Sequence, residues 1–446
     1  MTHVGIIGDG GREHALAWNI AKADEVKKVF YVSGKRNVGI EQEPKAGGES
    51  WINLDCTNPA NYDALVDTLA GKGIDLLLVG PESPLNKGIV DHLHTRGFHR
   101  IVGPTQRAAE IECDKFYSFD IMNDANVPQA NSIKCYSKEE AQRAINKMTT
   151  DKGVVIKYRY LAGGKGVRVC DNREEAFSSL EEIINTYGKH PTGKPHVLIA
   201  ERLFGSEFSV FGISTGDHVI VFPVAIQDHK RLEDGDIGKM TGGMGAFGHY
   251  PFISYSVVNQ VGSYMTRAIR AMKAQGSVYI GPLYAGTMMA DIPRVLEFNC
   301  RFGDPENQVL MMLLKHSLYN PFALLLDKKL DQNYAFEMNE GAAVCVVMAA
   351  RGYPDKAEID LPLKGVLEAG EDQRVKIFHA QTTLKGGFLV NQGGRTLGIT
   401  ALGLADDPTD LLRNIRVAQQ AAYAARRKIF APHYYNRNDI AEKAFL

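Results

Sequence analysis

The sequence predicts an α/β protein in three parts: an open parallel sheet, then a mixed central region, then a β-rich α+β region. Three observations carry this reading. Short apolar strands alternate with helices over the first 105 residues. The texture changes after Thr105, and a glycine-rich hairpin follows near residue 163. Farther on, Arg294-Val-Leu-Glu-Phe-Asn-Cys-Arg-Phe-Gly-Asp-Pro-Glu306 sets acid, amide and guanidinium groups in alternation. Strands alternating with helices build an open parallel sheet, with ligands outside its strand carboxyl ends.

Composition narrows the function classes. The chain has 446 residues, of which 44% are apolar, enough for several large cores. Lys plus Arg is 51 and Asp plus Glu is 52, so no global field attracts nucleic acid or an anionic membrane. The six cysteines are widely spaced with no C-x-x-C pair, which fits a reduced, cytoplasmic protein better than a disulfide or zinc framework. No basic leader with a long apolar stretch opens the chain, and no run approaches the roughly 20 residues of a membrane span.

Residues 3–7 read as a strand running into Gly8-Asp-Gly-Gly-Arg-Glu-His14, with a helix over 15–23. Strand, glycine turn and helix aim backbone N–H groups at an anion. The dinucleotide fingerprint fails, because Glu13 stands where its last glycine belongs. Strands are expected at 29–32, 52–55, 74–79 and 100–104, with helices at 61–70 and 85–96. Gly80-Pro-Glu-Ser-Pro84 then lies on the same rim as the first turn.

In the central part, helices are expected at 107–112, 115–124 and 138–147, with strands at 133–136, 154–158 and 167–170. Leu161-Ala-Gly-Gly-Lys-Gly166 joins the last two strands. It is no Walker loop, since Gly166 follows Lys165 and no helix begins there. A mobile glycine flap with Lys157 and Lys165 can fold over a triphosphate. A strand at 196–200 leads into Glu201-Arg-Leu-Phe-Gly-Ser-Glu207, and residues 207–215 and 218–224 form an antiparallel pair. The polar run 227–236 reads as a binding loop. A helix at 255–274 and a strand at 283–290 follow. Alternation then puts Glu297, Asn299 and Arg301 on one face of a strand, about 6.5 Å apart, and Leu296, Phe298, Cys300 and Phe302 on the other. Carboxylate and amide oxygens suit Mg²⁺, and arginine suits a carboxylate or phosphate. The last part holds strands at 343–348, 375–379, 387–390 and 396–402 and a helix at 408–430, with Arg351-Gly-Tyr-Pro354 and His379 at strand ends.

Six motifs, in order, resemble the phosphoribosylamine–glycine ligases (glycinamide ribonucleotide synthetases) of the ATP-grasp superfamily. They are Gly8-x-Gly-Gly-Arg-Glu-His-Ala-Leu-Ala-Trp18, Gly80-Pro-Glu-x-Pro-Leu85, Leu161-Ala-x-Gly-Lys-Gly-Val167, Gln227-Asp-His-Lys-Arg231, Thr241-Gly-Gly-Met-Gly-Ala246 and Leu296-Glu-Phe-Asn-Cys-Arg-Phe-Gly-Asp-Pro-Glu306. The resemblance continues through Leu397-Gly-Ile-Thr-Ala-Leu-Gly403. It implies an ATP-grasp ligase: an N-terminal sheet domain over 1–105, a two-lobed ATP-grasp domain over 106–327 with a flap at about 125–200, and a C-terminal domain over 328–446.

The implied reaction uses ATP and Mg²⁺ or Mn²⁺ to join glycine to 5-phosphoribosylamine through glycyl phosphate, in purine biosynthesis. By this resemblance, Glu297 and Asn299 hold the metal. Lys115, Lys157, Gly163, Gly164, Lys165 and Gly166 hold the phosphates, and Glu201, Leu203 and Glu207 seat adenosine. Gly10, Gly11, Arg12, Glu13, Pro81, Glu82, Asp228, Thr241, Gly242 and Gly243 face phosphoribosylamine. Arg301, with Lys157, is the catalytic candidate and orients glycine or its acyl phosphate. A monomer acting alone is expected.

Some positions depart from the family pattern. Tyr158, Arg159 and Tyr160 replace Ala-Asp-Gly, and Ala200 replaces a glutamate. Ser33-Gly-Lys-Arg-Asn-Val-Gly39 replaces Pro-Gly-Asn-Ala-Gly. Ile237, Lys239 and Met240 interrupt another run, and Gln381 replaces a glycine. These departures keep two alternatives in view: a sister ligase with a changed acid or amine, and a catalytically silent nucleotide-binding protein.

Overall fold

The computed structural model describes residues 1–163, 165–188 and 196–446. Five parallel strands open the chain, in the spatial order Trp51–Asn53, Val26–Ser33, Thr2–Ile7, Leu76–Val79, Ile101–Val102. The order reverses between Thr2–Ile7 and Leu76–Val79. Such a reversal opens a crevice at the strand carboxyl ends. Both glycine turns, after Ile7 and after Val79, stand at that crevice. Leu76–Val79 is buried on both faces, as its unbroken apolar run requires.

The expected helix over 85–96 is two helices, Glu82–Asn86 and Ile89–Thr95. Gly88, at φ +77°, separates them. The first helix begins at Gly11 rather than 15, because Glu13 accepts the Gly10 N–H and starts the turn early.

A four-stranded antiparallel sheet, ordered Ser132–Cys135, Val197–Glu201, Val154–Tyr158, Val167–Cys170, carries helices Lys138–Met148 and Arg173–Tyr187. The second helix was not anticipated from the sequence. Cys135, Ile145, Ile156, Leu180 and Ile199 form a core separate from the larger ones. This sheet is therefore a small body with its own packing.

Pro362–Leu363, Phe388–Asn391 and Thr382–Lys385, the second of which holds most of the strand expected at 387–390, form a separate three-stranded sheet. A long antiparallel sheet unites most of the rest. Its order is Pro293–Asn299, Ile280–Met289, Ser206–Thr215, Val219–Asp228, Gly245–Gly248, Ala342–Ala350, Arg395–Gly403, Val375–His379. The central and C-terminal regions thus share one ladder through Gly245–Gly248 and Ala342–Ala350. Residues 227–236 are not a free loop. The strand runs to Asp228, and a hairpin of Arg231–Glu233 with Ile237–Met240 follows. Helix Glu306–Leu313 is buried along its whole length. It packs against helix Gly11–Ile20 and against the long sheet.

Gly245 sits where the two regions join, and a Cβ there would stand 2.6 Å from both the Cys345 carbonyl oxygen and Ile440. Gly245→Ala should therefore cost about 1–3 kcal/mol. A fall in the denaturation midpoint checks this, and an unchanged midpoint would show that the junction tolerates widening.

Candidate active site

The first turn is built around a carboxylate. Glu13 is buried, its Oε2 accepting the Gly10 N–H at 2.8 Å and its Oε1 accepting from Arg12 Nε at 2.6 Å. A Cβ on Gly8, Gly10 or Gly80 would come within 2.7, 2.6 or 2.2 Å of the Glu13 side chain. These glycines thus make room for Glu13 as well as for a tight turn. Burial pushes its carboxyl up, and Arg12 partly offsets this. Arg12, also buried, donates from Nη1 to the Phe302 carbonyl at 3.2 Å. Gly11 lies against Gln308, and Pro81 lies beside Gly8. Glycine-turn residues from the first domain therefore meet the end of the Pro293–Asn299 strand.

Arg301 closes the same corner. Its Nε donates to Glu82 Oε2 at 3.1 Å and its Nη2 to Glu112 Oε1 at 2.9 Å, while Nη1 reaches the Phe302 carbonyl. Burial opposes its charge, but Glu112 and Glu82 raise its pKa well above the ordinary range. Burial likewise works against the Glu82 charge, yet Arg301 and Arg12 hold its carboxyl at about 2. Glu112 also accepts the Cys300 N–H at 2.8 Å. Sequence reasoning missed Glu112, which lies almost 190 residues from its partner and carries no motif of its own.

The Pro293–Asn299 strand departs from simple alternation. Gly286 pairs with Glu297, but Thr287 pairs with Val295, so Leu296 is the extra residue of a β-bulge. Val295, not Leu296, joins Phe298 and Cys300 in the core. A bulge re-aims its strand locally. Here it frees the Leu296 carbonyl, which accepts from Lys157 Nζ at 2.9 Å. Glu297, Asn299 and Arg301 still share a face, and Asn299 Oδ1 lies 3.4 Å from Arg301 Nη2.

Glu297 makes no hydrogen bond or ion pair among the described residues. Burial works to raise its carboxyl, but Lys115, Lys230 and Lys157 outweigh it and lower the pKa. Burial pushes the Lys157 ammonium down, against the pull of Glu297. Asn299 Nδ2 is buried without a partner. The uncommitted Glu297 carboxylate, with Asn299 Oδ1 held only by a long 3.4 Å contact from Arg301, fits a hard cation that takes its remaining oxygens from phosphates and water, while the unpartnered Nδ2 is a donor suited to a phosphate oxygen. No group of three His, Cys, Asp or Glu that could hold a metal alone occurs among the described residues.

Of the flap residues, Gly163, Lys165 and Gly166 are described, and Gly164 lies outside the described residues. Leu203 packs on a small apolar wall of Ala130, Val155 and Ala200, with Val167 and Val169. Ala200 thus belongs to an apolar surface. The Glu201 carboxylate accepts from Asn131 N at 2.9 Å and Asn131 Nδ2 at 3.1 Å, and lies 3.4 Å from Arg294. Glu207 pairs with Lys230 at 3.2 Å.

A cavity of about 280 Å³ lies between the first glycine turn, the flap loop and the C-terminal region. Gly10, Gly163, Lys165, Thr241, Asp304 and Arg395 are among its walls. Thr241 Oγ1 donates to the Lys230 carbonyl at 2.9 Å and accepts the Gly243 N–H at 3.0 Å. Gly242 N donates to the Tyr353 hydroxyl at 2.9 Å. Beside them, Asp228 Oδ2 stands 3.5 Å from Lys230, and Oδ1 has no hydrogen-bond partner. Burial and then Glu306 push the Asp228 carboxyl up to about 8.

Comparison with known proteins identifies the family. Residues 2–112, 113–307 and 343–443 match the family models for the N domain, the ATP-grasp (A) domain and the C domain of phosphoribosylglycinamide synthetase. The chain belongs to the phosphoribosylglycinamide synthetase family. It is 38% identical to a phosphoribosylamine–glycine ligase of Rhodopirellula baltica, covering 99% of this chain and 97% of that one. It is 39% identical to the trifunctional purine biosynthetic protein adenosine-3 of Gallus gallus, covering 89% of this chain and 38% of that protein. The crystal structure of a phosphoribosylamine–glycine ligase from Thermotoga maritima superposes with a TM-score of 0.78 at 27% identity, over 99% of this chain and all of the other.

Within this synthetase, several of the unusual positions meet at Asp9. Its carboxylate accepts from Ser33 Oγ and, at 3.0 Å, from Gln381 Nε2. Its carbonyl accepts from Asn37 Nδ2. Gln381 holds φ +53° and lines the cavity. His379 is structural: it is buried, with its N–H on His14 Nδ1 at 2.7 Å. Besides Glu112, sequence reasoning missed Lys230 and Arg395. Lys230 stands inside a motif and was readable there. Arg395 precedes Leu397-Gly-Ile-Thr-Ala-Leu-Gly403 and reaches the Asp304 carbonyl only through the fold.

Glu82 yields a pH test. Its carboxyl is held at about 2, against about 4.3 for an ordinary glutamate. Its contribution to stability is present above the ordinary value and is lost as pH falls through about 2. Glu82→Gln should lower the denaturation midpoint at neutral pH and flatten its fall between about pH 5 and 2. An unaltered acid slope would show that Arg301 does not hold Glu82 charged.

Proposed function

We infer that the cavity and the lysine-ringed Glu297 are the two halves of one ligase site. The chain is an ATP-dependent carboxylate–amine ligase that joins glycine to 5-phosphoribosylamine, giving glycinamide ribonucleotide, ADP and phosphate in purine biosynthesis. The observation that carries the site reading is the shared cavity. Gly163 and Lys165 of the flap line the same space as Gly10, Thr241 and Asp304. Nucleotide flap and amine pocket therefore face each other.

Phosphoryl transfer needs positioning and neutralisation of charge more than covalent help. Lys115 and Lys157 are assigned to the ATP phosphates, with Gly163–Gly166 as the cover. Leu203 and the wall around Ala200 seat the adenine, with Glu201 and Glu207 at its edges. Glu297 and Asn299 would hold Mg²⁺ or Mn²⁺, which when bound neutralises phosphate charge. Arg301 orients the glycine carboxylate as it attacks the γ-phosphate, and its own charge is kept in place by Glu82 and Glu112. The glycine turn with Arg12 and Glu13, Pro81, Asp228 and Thr241–Gly243 receive phosphoribosylamine. Its amine then attacks the acyl carbon of glycyl phosphate and phosphate leaves. The flap keeps water from the acyl phosphate.

The same reading divides the chain at about residues 105 and 327, with the flap over about 125–200, and has it act as a cytoplasmic monomer. No described helix is long and apolar enough to cross a membrane. The test is ADP release with Mg²⁺, ATP and glycine, with and without phosphoribosylamine generated in place. Release that requires both substrates, with glycinamide ribonucleotide as product, is expected. Release only with another acid or amine would favour a sister ligase. Glu297→Gln with Asn299→Ala should abolish turnover while the fold survives; retained activity would remove the metal assignment.

A further inference from the structure

The two lysines assigned to the ATP phosphates come from different bodies. Lys157 lies on the small sheet, and Lys115 opens helix Lys115–Asp124. Their like charges oppose each other across Glu297, and Lys115 adds to the lowering of the Lys157 pKa. Something must hold them together.

Arg159, two residues after Lys157, and Asp114, one before Lys115, meet in a bidentate ion pair. Arg159 Nε lies 2.9 Å from both Asp114 oxygens, and Nη2 donates to Oδ2. Both side chains are largely buried. Such a fork fixes geometry as well as charge. The same Asp114 carboxylate caps the helix, accepting from Phe116 N at 2.9 Å and Tyr117 N at 3.3 Å. The backbones are tied too: the Lys115 N–H donates to the Arg159 carbonyl at 2.8 Å, and the Arg159 N–H to the His196 carbonyl at 3.0 Å. The guanidinium lies 4.8 Å from the Phe116 ring centre and 4.9 Å from that of Tyr160. Stacking on both rings leaves it little freedom.

Arg159 stands where the resembling family usually has an aspartate. An aspartate there would set like charge against Asp114. The pair is thus matched within this chain.

We propose that Arg159 and Asp114 are positioning residues that lock the base of the flap to the helix carrying Lys115, so fixing the distance between the two phosphate lysines. Neither touches the nucleotide. The proposal rests on the assignment of Lys115 and Lys157 to ATP, and its action is on nucleotide binding rather than on the amine.

The test is isothermal titration of ATP-analogue binding to the full chain, beside steady-state kinetics. Arg159→Ala and Asp114→Asn should each weaken nucleotide binding and raise the KM for ATP by about tenfold, as loss of an orienting partner commonly does. The KM for phosphoribosylamine should stay within about twofold on the same principle. Asp114→Asn keeps an N-capping side chain and so reports on the ion pair even if Arg159→Ala does not fold. The double variant should be no worse than the worse single one, because both remove the same interaction. Arg159→Lys, with charge but no fork, should recover only part of the affinity. Unchanged nucleotide affinity in folded Asp114→Asn, or losses that multiply in the double variant, would overturn the proposal. Equal rises in both KM values would also overturn it, because the effect would then be general damage. Titration needs no acid or amine, so a wild-type chain inactive with glycine and phosphoribosylamine would refute the ligase reading while this test still stood.

Discussion

An arginine largely withdrawn from water must be paired, and Arg301 is paired by two carboxylates from two other segments. Glu82 comes from the short helix after strand Leu76–Val79, and Glu112 from helix Gln106–Cys113. Removing one partner of such a set leaves an uncompensated charge and commonly costs several kcal/mol, about 3–5. The first sheet, the helix that leaves it and the strand bearing Glu297 are therefore held in one arrangement. Arg12 adds a second tie through the Phe302 carbonyl.

Charge around Glu297 follows the opposite rule. Lys115, Lys157 and Lys230 stand around the Glu297 carboxylate, which none of them bonds directly; Lys230 also pairs with Glu207 and Asp228, and Lys115 and Lys157 leave positive charge in excess at a half-buried place. Such an excess is suited to a polyanion. Burial, and then Glu306, push the Asp228 carboxyl up to about 8, while the carboxylates around Lys230 hold its ammonium well above the ordinary range against burial.

Local signals made much of this legible. Strands Val154–Tyr158 and Val167–Cys170 and helix Tyr255–Ala274 stand where periodicity places them, because their apolar spacing is strong and their ends are marked. The facing of Glu297, Asn299 and Arg301 was readable from alternation alone. Long-range facts were not. The bulge at Leu296 depends on the register of Ile280–Met289. Glu112 looks like any helix-end acid, and the glycines around Glu13 read equally well as a phosphate turn. The polar run at 227–236 reads as a loop because its charges hide a hairpin whose partners, Asp439 and Arg437, lie more than 200 residues away.

The ladder through Gly245–Gly248 and Ala342–Ala350 makes the C-terminal quarter of the chain a covering for an otherwise open sheet. A fragment ending near residue 330 would leave Gly245–Gly248 as a raw edge, its N–H and C=O groups unpaired beside apolar Phe247. Exposed edges of that kind recruit other strands. Such a fragment is destined for aggregates, so dissection of this enzyme into working pieces has to cut around the small flap body and not along the long sheet.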